Sequence, residues 1–314
     1  MTFAYHRLAR SWPSYRWWKP LVTGLIALGF FLVFQVMLAV PAVILVFVDP
    51  TGLGADFRAM LLEGVIDLTI PAVLAFSLAS IAVMLPAIIL AALVMGPRPV
   101  GLLSSVAGRL RWRWMLRLVV PGLVVFVGSF VLLALLESAL LGGPPALRMG
   151  DDTVLMLAII LLLVPLQATA EEYVFRGYLM QLIGGWLRHP AWAILLPVPL
   201  FMVGHLYDGW GLLDVGVFAV FAAWLTWRTG GLESAIVAHV VNNATLFALG
   251  QFGLYDANSQ QGSPLGVALT AVTLGLYSWW VVVLQRRHGV ERVRLVVENP
   301  VESAPSIVDN HSQV

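Results

Sequence analysis

Glu171 and Glu172 stand side by side at the end of a long apolar run, and Arg176 follows four residues after Glu172. An ionised carboxylate in such surroundings is costly unless something pairs with it. Residues i and i+4 share a helix face, so Arg176 can hold one Glu, most naturally Glu172. Glu171 is left over. A carboxylate in an apolar pocket binds a proton more tightly than one in water, which suits it to take a proton from a water molecule. Two further polar clusters interrupt later apolar segments: Phe201-Met-Val-Gly-His205 and His239-Val-Val-Asn242-Asn243. Phe201 and His205 are i, i+4, as are His239 and Asn243, so each pair shares a face. One His can share or orient a water with Glu171. The second His and an Asn amide can donate to a developing oxyanion. Together these groups suit hydrolysis of an amide bond by activated water. The same residues allow a second chemistry, in which Glu171, His205 and His239 hold zinc with an open position.

Each cluster has a structural reading when taken alone. An intramembrane His or Asn ties helices together, and a Glu–Arg pair is a buried bridge. Four reactive groups converging in an apolar bundle instead indicate a hydrated site. Distance supports convergence. Glu171 and His205 are nearly equidistant from the turn expected at Arg188-His189-Pro190, about 25 Å away if residues 171–187 are helical. The remaining acids read as structural or solvated: Glu137 near the outer end of its segment, Asp67 before another, and Asp208 and Asp214 around Gly209-Trp210-Gly211.

The elements that position these groups are membrane spans. The chain has 314 residues, 60% apolar and 11% charged, with a mean hydropathy of +0.90. Soluble domains carry about 25% charged residues. Cysteine is absent, which removes disulfides and thiolate zinc sites. Eight apolar segments are readable, over 21–48, 70–96, 118–142, 153–170, 191–207, 211–227, 232–249 and 266–285, against the roughly 20 residues a span requires. The fifth to seventh are short and are expected to be irregular, tilted or sheltered. The fourth is expected to run past the Glu pair. The first is too long for a signal h-region and reads as an anchor.

With the N-terminus inside and alternating passes, all but Arg58 and Arg148 of the 18 Lys and Arg fall on the inner side. That bias sets orientation, so both termini are expected in the cytoplasm. The fold class is therefore an all-α polytopic bundle. Tryptophans near segment ends, including Trp17, Trp18, Trp112, Trp114, Trp186, Trp279 and Trp280, read as an interfacial belt. The run Arg109 to Arg117 reads as a cytoplasmic interfacial helix facing lipid headgroups rather than nucleic acid. Residues 1–150 are expected to form a membrane region of three spans and a basic loop. Residues 151–250 would be the catalytic core, 251–297 a last span with a basic flank, and 298–314 a polar disordered tail.

Motifs of other intramembrane hydrolases, His-Glu-x-x-His, Gly-x-Ser-x-Gly and Gly-x-Gly-Asp, are absent. The ordered set Glu171-Glu172-Tyr-Val-Phe-Arg176, Phe201-x-x-x-His205 and His239-x-x-x-Asn243, with Arg228-Thr-Gly-Gly-Leu before the third, resembles the CAAX-protease and bacteriocin-processing family of intramembrane proteases. The likeness covers roughly residues 153–249. It implies Glu171 as water-activating base with His205, His239 and Asn243 near the oxyanion, and Glu172, Arg176 and Phe201 in support. It also implies a membrane-associated protein or peptide substrate and a bacterial cytoplasmic membrane. Family members have been regarded both as metalloproteases and as metal-free glutamate enzymes, so a zinc cofactor stays open at this point. Two rival readings are a non-catalytic scaffold or bacteriocin self-immunity protein of the same fold, and a proton-coupled transporter. The transporter reading lacks the repeated halves such proteins show.

Overall fold

The computed structural model describes residues 1–141 and 147–296, with the backbone alone at 134 and 136–141. The expected polar tail and the side chain of Glu137 lie outside the described residues. The chain is an all-α bundle and a multi-pass membrane protein. Its helices are α1 (Lys19–Val48), α2 (Leu53–Leu62), α3 (Pro71–Ala82), α4 (Met84–Met95), α5 (Trp112–Leu141) and α6 (Thr153–Glu172). A π-helical stretch (Tyr173–Leu179) then leads into α7 (Met180–Trp186), α8 (Pro190–Leu195), α9 (Val198–Val203), α10 (Gly209–Thr229), α11 (Glu233–Gln251) and α12 (Pro264–Arg287).

Hydrogen bonds gather the connecting segments at two opposite ends. At one end, His6 meets Arg188 O at 3.0 Å, Arg10 donates to Gly185 O at 2.8 Å and Arg292 donates to Arg228 O at 3.0 Å. Strand β1 (Thr2–Ala4) also pairs there with β2 (Val293–Leu295), antiparallel. At the other end, Asn258 donates to Asp67 at 2.8 Å, Gly262 N to Asp208 at 2.9 Å and Arg148 N to Phe252 O at 3.0 Å. The chain therefore passes between the ends in α1, α3–α4, α5, α6–α7, α8–α9, α10, α11 and α12. Six of these passes are long and apolar enough to span a bilayer. The other two are α11, which carries His and Asn, and α8–α9, which is broken at Pro197. Residues 2–4 and 293–295 lie at the same end, as an even number of passes between them requires. That end is the basic one. Arg58 donates to Val46 O near the far end, where Arg148 also lies.

Several expectations need correction. The basic run is not a separate interfacial helix. Trp112 to Arg117 form the first turns of α5, and Arg111 just before it is spent on the buried Glu233. Its guanidinium grips both carboxylate oxygens at 2.8 and 2.7 Å, and its backbone N–H adds a third bond at 2.9 Å. Trp114 is 4% exposed and belongs to the core rather than the aromatic belt. Arg176 lies within the helical run of α6–α7 and not in an inner loop. The sixth pass is sheltered rather than irregular: α10 is a continuous helix of 21 residues capped by Asp208, with Ala219, Ala222, Ala223 and Leu225 buried. Asp214 is not solvated in a turn. It lies on α10, half-buried, with Oδ1 enclosed and unpartnered among the described residues.

Lipid tails are as apolar as leucine, so burial of apolar surface alone does not hold these helices together. Close packing through small residues and polar ties must do so. Phe47 and Val48 of α1 are thus exposed to lipid, while Ala87, Ala91 and Ala92 of α4 are buried. Gly184 on α7 lets the backbone of His6 approach, since a Cβ there would stand 1.8 Å from His6 O. We expect Gly184→Ala to displace the segment Tyr5–Ser11 and to cost about 1–3 kcal/mol. Faster amide exchange at Leu8–Ser11 and a lower unfolding temperature in detergent would measure it. Unchanged exchange would show that the contact relaxes without cost.

Candidate active site

The site is built on α6 and α11, which run antiparallel and in contact. Gln167 and Glu171 are i, i+4 on α6; His239 and Asn243 are i, i+4 on α11. They meet as two rungs. Asn243 Nδ2 donates to Gln167 Oε1 at 3.3 Å, and His239 Nε2 lies 3.2 Å from Glu171 Oε2. Gln167 also donates to Glu171 Oε2 at 2.8 Å. Beside this ladder, Glu172 Oε1 accepts from Arg176 at 2.8 Å and from His239 Nδ1 at 2.8 Å. Glu172 is fully buried, Arg176 is 2% exposed and His239 3%. The guanidinium of Arg176 sits 4.3 Å from the Phe201 ring centroid, and Phe218 meets His239 edge-on at 5.0 Å. Aromatic faces thus supply the attraction that water would otherwise give this cation.

Proton positions follow from the partners. Glu172 Oε1 already receives an Arg hydrogen and can only accept, so His239 Nδ1 carries a proton. Its Nε2 faces another carboxylate oxygen, and two lone pairs would repel at that distance. Glu171 Oε1 makes no hydrogen bond to the described residues. It is also absent from the enclosed, unpartnered atoms, which do include Glu172 Oε2. Oε1 is thus the open oxygen of the pair.

A π-helical turn begins directly after Glu172. Such turns occur often at functional sites, and its effect here can be read from Tyr178. Seven residues after Glu171, it would share Glu171's face in an unbroken α-helix. Instead it turns to α1 and donates to Pro20 O at 2.7 Å. The wider turn lets one helical run serve two layers: the carboxylates face α11, and the residues beyond face the N-terminal elements. At its start, Tyr173 OH shares a 2.7 Å hydrogen bond with Ser104.

His205 lies just past the end of α9. Its Nδ1 is 2.9 Å from Phe201 O, which can only accept, so Nδ1 holds the proton and Nε2 a lone pair. The Phe201 ring links the two histidines, with centroids 4.9 Å from His205 and 6.2 Å from His239. The structure thus brings all the sequence-derived residues into one region but departs from the expected arrangement. His239 grips the two carboxylates instead of standing free as an oxyanion donor, and Asn243 is bonded to Gln167. The reason is antiparallel packing, which lays the His239/Asn243 face flat on the Gln167/Glu171 face. Gln167 was not foreseen, although a Gln four residues before Glu171 in an apolar run is a legible signal. For zinc, no group of three or more His, Asp or Glu suited to a metal occurs among the described residues. Both ring nitrogens of His239 are turned on carboxylates. As arranged, the set Glu171, His205 and His239 does not fit a metal.

If Glu172 is anchored as described, Arg176→Met should strand a buried carboxylate and cost about 3–5 kcal/mol. Adding Glu172→Gln should restore most of that loss. Thermal unfolding of the three proteins in one detergent tests this, and equal stabilities would contradict the pairing.

Residues 153–245 match the family described as type II CAAX prenyl endopeptidase, Rce1-like. Among curated proteins, the chain is 34% identical over 98 residues to "Uncharacterized protein YyaK" of Bacillus subtilis (strain 168). That match covers 29% of this chain and 33% of the relative, so it spans about a third of that protein. No solved structure matches. Glu171, Glu172, Arg176, His205, His239 and Asn243 all lie within the residues that match this family.

Proposed function

We propose that this protein is an intramembrane endopeptidase of the bacterial cytoplasmic membrane. It would hydrolyse a peptide bond of a membrane-associated protein or peptide with water activated by Glu171. The observation that carries this reading is the state of Glu171: a carboxylate 8% exposed, with Oε2 fixed by Gln167 and His239 and Oε1 open.

In this reading a water lies between Glu171 Oε1 and the lone pair of His205 Nε2. As its oxygen bonds to the scissile carbonyl carbon, one proton passes to Glu171 and the C=O electron pair moves onto the carbonyl oxygen. The Asn243 amide keeps one N–H beyond that given to Gln167, and this hydrogen can meet the oxyanion. Collapse breaks the C–N bond, and the proton on Glu171 passes to the leaving nitrogen. His239 acts as a positioning residue that holds Glu171 against Glu172. No step passes through a metal.

General-base catalysis contributes about 10²–10⁴-fold. Glu171→Gln and His205→Ala are therefore each expected to lower cleavage by at least about 100-fold at unchanged membrane level. Comparing new peptide termini in membranes that carry wild type or Glu171→Gln would read this and would reveal the substrate. Full activity in both variants would sink the protease reading in favour of a non-catalytic protein. Activity is expected to survive stripping of metals by a chelator. Loss on stripping with recovery on added zinc would overturn the metal-free route.

A further inference from the structure

A second cavity lies apart from the carboxylate cluster, between α8, α10 and α12. It holds about 600 Å³, within the range of roughly 300–1,000 Å³ typical of ligand sites. Ile194, Val220, Phe221, Val282 and Val283 make its walls apolar, and Trp224 and Trp279 add aromatic faces. Along α12 its lining falls on one stripe, from Gly275 through Ser278, Trp279, Val282 and Val283 to Arg286. Those 11 steps span about 16 Å at the helical rise, close to half of a hydrocarbon core about 30 Å thick. Arg286 closes the stripe at the basic end of the bundle. There Arg292 bonds to Arg228 O and Arg228 to Gln285. None of these three arginines forms a salt bridge among the described residues. At the opposite end of the stripe a Cβ added to Gly275 would meet nothing within 4 Å.

We infer that this groove is a binding site for one anionic glycerophospholipid of the leaflet at the basic end, with its phosphate on Arg286 and an acyl chain lying along α12 toward Gly275. Length and charge decide the occupant. A partner helix would need a groove crossing both leaflets, whereas this one stops near the middle. A zwitterionic lipid brings its own cation, which offsets its phosphate and is repelled by the arginines at the mouth. The inference does not rest on the proposed proteolysis.

Native mass spectrometry of the purified protein, with phosphatidylglycerol or phosphatidylcholine of matched chains, tests it. Phosphatidylglycerol should be retained about five-fold better, the factor contributed by one Lys or Arg at an anionic surface. Arg286→Gln should bring the two lipids to parity, and Arg287→Gln, one position around the helix, should not. Gly275→Leu should fill the groove and remove both adducts. Equal retention of the two lipids by the wild type would overturn the proposal. Phosphatidylglycerol binding left intact by both Arg286→Gln and Gly275→Leu would overturn it as well.

Discussion

The structure turns on the cost of keeping the Glu172 carboxylate fully buried. A carboxylate in that position cannot be left alone, and Glu172 Oε1 takes two partners while Oε2 is enclosed and unpartnered among the described residues. Arg176 comes from the same helix and fixes the local turn. His239 comes from α11 and fixes where that helix must lie. Once His239 bonds to Glu172, its other nitrogen falls against Glu171, and Asn243 one turn further along α11 falls against Gln167. The placement of the open oxygen of Glu171 thus follows from the two bonds made to Glu172 Oε1.

That arrangement needs rigid support, because lipid gives no apolar driving force between helices. The support comes from polar ties at the basic end. Arg111 seats the start of α11 by gripping Glu233. Gln181 donates to Leu102 O at 2.8 Å and Tyr5 to Leu103 O, which joins α7 and the N-terminal segment to the Val100–Leu103 turn. His239 lies two turns from the Arg111–Glu233 anchor, so the carboxylate cluster sits in the half of the bundle nearest the basic residues.

Much of this was legible from residue types. The spacing of Glu172 and Arg176 identified the closed ion pair, and the i, i+4 faces at Phe201/His205 and His239/Asn243 identified which side chains point together. The Lys and Arg distribution identified the end where the segments before α1 and after α12 meet. Periodicity, however, gives the face of a helix and not what covers it. It could not say that His239 would bind both carboxylates, or that Asn243 would meet Gln167. The π-helical turn was hidden for a related reason: it changes the phase of a helical run without any Pro or other break in the sequence to mark it. Arg111 looked like a headgroup cation because its acid, Glu233, lies 122 residues away.

The pairing of Thr2–Ala4 with Val293–Leu295 has a bearing on how the bundle is made. The N-terminal strand finds its ladder partner only in a segment translated after α12. That ladder cannot form before α12 has been made. The strand pair can close only after every pass has been made, so it can latch the bundle but cannot seed its first helices.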